Sequence, residues 1–218
     1  MKTTFDPRYR RSGVAVPVCR AGEMATFRSL TLLACLTMAV LALTFLTPTA
    51  AAVDLVLHSF AAPPDGNNPY AALVSDKFGN LCGTTMSGGT KNLGTVFVEC
   101  APLASGSPDI EPCVAGARAW ESHVLYNFEG LAADDGSMPT STLIFGGDYA
   151  GRAFTLYATT YFGGVGGNCG GGEGCGTVFE LCAPAAAGGC GGADWKENVL
   201  YRFVGGSFDG ANPTAGVI

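Results

Sequence analysis

Three aspartates open the same short segment. Asp65, Asp135 and Asp209 each begin an Asp-Gly-x-x-Pro stretch, ending at Pro69, Pro139 and Pro213. Carboxylates that recur in turns could hold calcium, which prefers oxygen ligands. The same residues also suit a turn, because Asp bonds to the backbone ahead and Gly accepts positive φ. Turn capping is the reading adopted, with calcium as the alternative and no other cofactor expected. Glu129 stands near Asp134 and Asp135, a carboxylate pairing of the kind that hydrolyses glycosides; in a variable turn, solvated charge explains it. His58 and His123 are the only histidines. His58 occupies the place that Tyr126 and Tyr201 take in related segments, which makes it a packing residue rather than a metal ligand. There is no Gly-x-Ser-x-Gly elbow, and Gly171-Gly172-Glu173-Gly174 lacks the Lys-Ser/Thr ending of a phosphate loop. The expectation is therefore no catalytic, cofactor-binding or metal-binding residue.

The elements around these residues repeat. Val124-Leu125-Tyr126-Asn127-Phe128 returns as Val199-Leu200-Tyr201-Arg202-Phe203, and a more divergent copy runs Val56-Leu57-His58-Ser59-Phe60. Each leads into its Asp-Gly-x-x-Pro segment and then a short apolar run, Ala71–Val74, Ser141–Ile144 or Ala215–Ile218. Asp76-Lys77-Phe78-Gly79-Asn80 joins to Leu81-Cys82-Gly83-Thr84-Thr85, matched by Leu156-Tyr157-Ala158-Thr159-Thr160. Gly94-Thr95-Val96-Phe97-Val98-Glu99-Cys100 is matched by Gly176-Thr177-Val178-Phe179-Glu180-Leu181-Cys182. All four runs are short, rich in β-branched and aromatic residues, and bounded by turn residues, so they predict strands. The Asp-Gly-x-x-Pro segments themselves read as turns, since Pro cannot serve a central ladder. In Val124–Phe128, strict alternation puts Val, Tyr and Phe on one face and Leu and Asn on the other.

Four short strands per unit predict an all-β fold of tandem antiparallel units, β-propeller-like, with a β-solenoid as the alternative. The expected organisation is a leader at 1–52, repeat unit 1 at 53–123, repeat unit 2 at 124–198 and a partial unit 3 at 199–218. The last unit breaks off in its second strand, so the array reads as unfinished, to be closed by further repeats or by other chains.

The landmarks Val-Leu-Tyr-x-Phe, Asp-Gly-Ala-Asn-Pro, Gly-Asn-Leu-x-Gly-Thr-Thr and Gly-Thr-Val-Phe-Glu-Leu resemble the GloVer tandem repeat of bacterial exported proteins. The resemblance covers nearly all of residues 54–218. It implies a secreted or surface-attached repeat protein with a variable anchoring signal, and carries no defined activity or catalytic residue. Cys82, where the repeat has Tyr, and the loop insertions depart from its pattern.

The first segment predicts export. Arg28 precedes an apolar run from Leu30 to Leu46 and a small-residue Thr47-Pro48-Thr49-Ala50-Ala51-Ala52 site, the layout of a secretory signal. Met24 is an alternative start. An uncleaved membrane anchor and a lipoprotein box at Cys35 are the rivals; membrane contact is otherwise expected only through a C-terminal anchor. Six of the twelve basic residues lie before residue 53, leaving six cations against sixteen carboxylates beyond it, a net of −10. With no basic footprint to neutralise phosphates, nucleic acid is not an expected partner.

An oxidising address gives the cysteines meaning. Of nine, Cys19 and Cys35 fall in the leader. Cys100 and Cys182 occupy the same repeat position, and each is followed by a second cysteine, Cys113 or Cys190, before a tryptophan. Bridges Cys100–Cys113, Cys182–Cys190 and Cys169–Cys175 are expected, with Cys82 buried and free. The functional expectation is an exported β-repeat module that binds or displays extracellular glycan or protein; the alternative is a polysaccharide-acting hydrolase or lyase on the same scaffold.

Overall fold

The structure is a computed structural model that describes residues 54–61, 63–102, 112–114, 116–146, 155–167, 169, 171–185 and 192–218. The chain divides into two units, Met1–Asp54 and Leu55–Ile218. The fold lies in the second, and the expected leader is outside the described residues.

The described residues form two antiparallel sheets and no α-helix. The first contains β1 (Gly66–Pro69), β2 (Val74–Ser75), β3 (Leu81–Gly88), β4 (Thr95–Cys100) and β5 (Glu121–Asn127). The second contains β6 (Gly136–Pro139), β7 (Ile144–Gly146), β8 (Thr155–Gly163), β9 (Thr177–Cys182) and β10 (Lys196–Arg202). β1 and β2 pair with opposite ends of the same side of β3, making two halves of one broken strand; β6 and β7 do the same on β8. Each sheet is thus a four-layer meander, β3–β4–β5 continuing the first and β8–β9–β10 the second.

Three expectations are corrected. The Asp-Gly-x-x-Pro segments are not turns throughout: their Gly-to-Pro portions are strands β1 and β6, with Pro69 opposite Thr85 and Pro139 opposite Thr160. Proline is tolerated there because both strands lie at a sheet edge, where a missing N–H breaks no ladder. Second, Val124–Asn127 closes the first sheet by pairing with β4, and β10 closes the second by pairing with β9. The repeat read along the chain and the sheets are therefore out of phase, and positions 124 and 199 fall inside strands. Third, strict alternation fails in both closing strands. Their registers slip, Leu125 being skipped opposite Val96/Phe97 and Leu200 opposite Val178/Phe179. A β-bulge inserts one unpaired residue and re-aims those after it, so Leu125 joins the buried core.

The two sheets share one core. Val96, Val98, Cys82 and Leu125 of the first meet Leu143, Leu156, Phe179 and Leu181 of the second. Phe128, just past β5 and fully buried, lies edge-on to Phe179 with centroids 5.3 Å apart. The contacts between successive units recur. Met138 N donates to Leu93 O at 2.8 Å, as Asn212 N does to Cys175 O at 2.7 Å. Thr84 Oγ1 reaches Ser141 O at 3.4 Å, as Thr159 Oγ1 reaches Ala215 O at 3.0 Å. Within each sheet a buried hydroxyl pair spans the two central strands, Thr85–Thr95 and Thr160–Thr177, each at 2.8 Å. Gly94 must be glycine twice over: its φ is +99°, and a Cβ there would meet Pro139 Cδ at 2.6 Å. Gly176 stands in the same relation to Pro213. One set of contacts, applied twice, relates unit 1 to unit 2 and unit 2 to the start of unit 3.

Loops behave as their chemistry requires. Asp76 Oδ1 accepts from Phe78 N and Asn80 N, and Gly79 turns at φ +88°. Disulfides join Cys100 to Cys113 (Cα–Cα 5.3 Å) and Cys169 to Cys175 (5.4 Å), both as expected, and Cys82 is free and buried. Cys182 is disulfide-bonded; its expected partner Cys190 lies outside the described residues. These bridges suit an oxidising, extracytoplasmic setting. Among the described residues no helix is long and apolar enough to cross a membrane.

Candidate functional site

The three aspartates singled out by their spacing occupy one environment. Asp135 Oδ2 accepts from Tyr126 Oη at 3.0 Å and from Glu129 N at 2.7 Å, while Oδ1 accepts from Gly136 N at 2.6 Å. Asp209 repeats the arrangement with Tyr201 Oη, Val204 N and Gly210 N. Asp65 repeats it again with His58 Nε2, Ala61 N and Gly66 N. The ring that serves each aspartate is also edge-on to a phenylalanine two residues later: His58 to Phe60, Tyr126 to Phe128, Tyr201 to Phe203. His58 thus takes over a tyrosine's task, which confirms it as a packing residue and gives the position its physical content: a polar ring tip bonded to a carboxylate.

Burial separates the three electrostatically. Asp209, on the surface, is held below the usual carboxylate range by the Val204 N–H and its other donors. At Asp65 burial pulls upward, but the N–H of Ala61 and the His58 ring outweigh it and the carboxyl is lowered. Asp135 is 5% exposed, and there burial wins and raises it.

The reason lies in its neighbour. A cleft of about 380 Å³ opens between the β5–β6 connection and β10, lined by Tyr126, Glu129, Asp134, Asp135, Glu197 and Arg202. Its floor is a carboxyl pair, with Glu197 hydrogen-bonded to Asp135. Burial, followed by the Asp135 charge, pushes Glu197 up to about 8. Two carboxyls in contact cannot both ionise cheaply, so the pair keeps one proton at neutral pH, carried by Glu197. Burial and the Asp135 charge likewise raise the Tyr126 phenol. Arg202 offsets part of the negative charge and ties the cleft wall together, Nη2 donating to Asp134 O at 3.1 Å.

The expected carboxylates Glu129, Asp134 and Asp135 are brought together here. Glu197 and Arg202 were not singled out in the sequence. Both sit at repeat positions where the other copy has Ser122 and Asn127, so comparing one unit with the next is the signal that would have found them. Glu197 Oε1 is buried without a hydrogen-bond partner. The remaining expected residues play other parts. His123 faces Val98 across β4 and β5, away from the cleft residues in the chain, and no group of three His, Cys, Asp or Glu among the described residues is placed to hold a metal. The bridged cysteines clip loops.

No family model, no curated protein and no solved structure matches this chain.

Proposed function

We propose that this chain is an exported, non-enzymatic β-repeat module that binds extracellular carbohydrate, its sheets stacked as successive blades of a propeller-like array of the GloVer type. The observation that carries the reading is the use made of the carboxylates. Asp135 spends its oxygens on the same donors as Asp65 and Asp209, which marks it as part of the repeated frame rather than a group reserved for one reaction. Its partner Glu197 touches it directly. Glycoside hydrolysis needs carboxyl groups roughly 5 Å or more apart so that the scissile bond fits between them; a hydrogen-bonded pair leaves no such gap. A scaffold that repeats its frame while varying the residues around it is suited to binding, since recognition needs only displayed side chains on a rigid support. The repeated inter-unit contacts support the blade arrangement, and the disulfides together with the N-terminal apolar segment support export.

One observation favours a hydrolase instead: Glu197 holds a proton near neutral pH, the state a general acid requires. A single assay separates the readings. The purified chain is incubated with cellulose, xylan, mannan, laminarin, starch and alginate, and both the bound fraction and released reducing ends are measured. Binding without release is expected. Turnover that disappears in Glu197→Gln, with the fold intact, would replace this reading by the hydrolase.

A further inference from the structure

A second pocket, of about 290 Å³, lies apart from the carboxylate cleft and is lined by Tyr70, Met86, Met138, Thr140, Tyr161 and Phe162, with Thr214 at its edge. We propose that this pocket is a subsite for one uncharged sugar ring of a polysaccharide chain, stacked on Tyr70 and Tyr161 and hydrogen-bonded to Thr140. The proposal rests on the carbohydrate-binding reading above and gives it a place and a ligand chemistry.

Four observations carry it. No charged side chain lines the pocket, so nothing there could repay the desolvation of a phosphate or carboxylate. Its volume sits at the small end of ligand sites, which suits one ring unit and not a helix or a strand. Its walls are aromatic and thioether, yet Thr140 Oγ1 is buried with no hydrogen-bond partner. A buried hydroxyl calls for a partner, and an occupant with an apolar face and a polar rim supplies one. A pyranose ring has both. Finally, the tyrosines of the molecule divide by use. Tyr126, Tyr157 and Tyr201 each bond a carboxylate of the frame. Tyr70 and Tyr161 make no such bond, and Tyr70 stands 75% exposed beside the pocket.

Backbone geometry points the same way. Asn68, Met138 and Asn212 are the third residues of the three Asp-Gly-x-x-Pro segments, and all have left-handed φ, 56°, 54° and 51°. Asn tolerates that region; Met does not. Unit 2 keeps Met at a disfavoured position, and its side chain lines the pocket. The pocket is also assembled from matching positions of three units: Tyr70, Thr140 and Thr214 each follow the segment's proline, and Met86 and Tyr161 follow the paired threonines of β3 and β8. A site at a junction that recurs along the array matches a polymer whose rings recur along its chain.

The test measures dissociation constants by depletion binding or affinity electrophoresis for the polysaccharide retained by the wild-type chain. Tyr161→Ala is expected to weaken binding by roughly tenfold or more through lost stacking, and Thr140→Val by about threefold through the lost hydroxyl. Exposed Lys91→Ala should leave it unchanged. Tyr70→Ala, at an exposed side chain, should also weaken binding, and it keeps the test informative should Tyr161→Ala fail to fold. Unchanged affinity in Tyr70→Ala together with either of the other two pocket variants would place the ligand elsewhere, overturning this proposal while the binding-module reading stands. Retention of only the acidic polysaccharide alginate would contradict the uncharged pocket. A wild-type chain that retains none of the polysaccharides would overturn both readings.

Discussion

Asp135 carries the heaviest local burden of the three repeated aspartates, because its hydrogen bonds are made out of water. Replacing it with Ala would orphan Tyr126 Oη and two backbone N–H groups and remove a partner of Glu197. A loss of about 3 kcal/mol in a urea unfolding curve is expected for Asp135→Ala, given typical costs of unsatisfied buried donors. The same change at surface-exposed Asp209 should be far milder, since water can take its place. Tyr126→Phe removes a single donor and is expected to cost about 1 kcal/mol. Met138 offers the opposite sign. Converting it to Asn matches the residue that the other two copies use at a left-handed φ, and should raise stability by about 0.5–1 kcal/mol. Differential scanning calorimetry would detect the change, and carbohydrate affinity should fall with the lost side chain.

Short strands here gain their stability from partners rather than from their own length. β1 and β6 have four residues each, and they exist because β3 and β8 extend past β2 and β7 to pair with them. The third Asp-Gly-x-x-Pro copy makes the point by contrast. Gly210–Pro213 has no long strand beside it among the described residues and forms no strand. Val56–Phe60 likewise matches β5 and β10 in sequence yet is not a strand. The loop between β4 and β5 depends on its clip, which spans 13 residues between Cys100 and Cys113. The double substitution Cys100→Ser with Cys113→Ser should destabilise by roughly 3 kcal/mol, the loop-closure entropy returned to the unfolded chain, without changing which strands pair. Hydrogen exchange on β4 and β5 amides would verify the retained pairing.

Across the whole molecule, the carboxyl pair between the units makes stability depend on pH. Glu197 rises from 4.5 to about 8 on folding, so between those values the folded chain holds more protons than the unfolded one. Its contribution is fully present below pH 4.5 and is lost as pH climbs through 8. Asp135, also raised, acts in the same direction. The melting temperature should therefore fall by about 5 °C between pH 5 and pH 8.5, and Glu197→Gln should flatten that slope. An unflattened slope in a folded variant would assign the dependence to other groups. The strands, the Asp76 turn, the two bridges and the buried free Cys82 were all legible beforehand, because each rests on local chemistry: β-branched runs, Asx turns, and cysteines placed in matching loops. The bulges at Leu125 and Leu200 were not, since a register slip depends on which strand lies opposite. Nor was the phase of the sheets, because a strand's sequence states that it will pair but not on which side of a turn its partner lies. Glu197 meets Asp135 across 62 positions of chain only when two sheets stack. That distance in sequence is why local periodicity determined the repeated unit, while packing alone decided which of its residues share a proton and which face an open pocket.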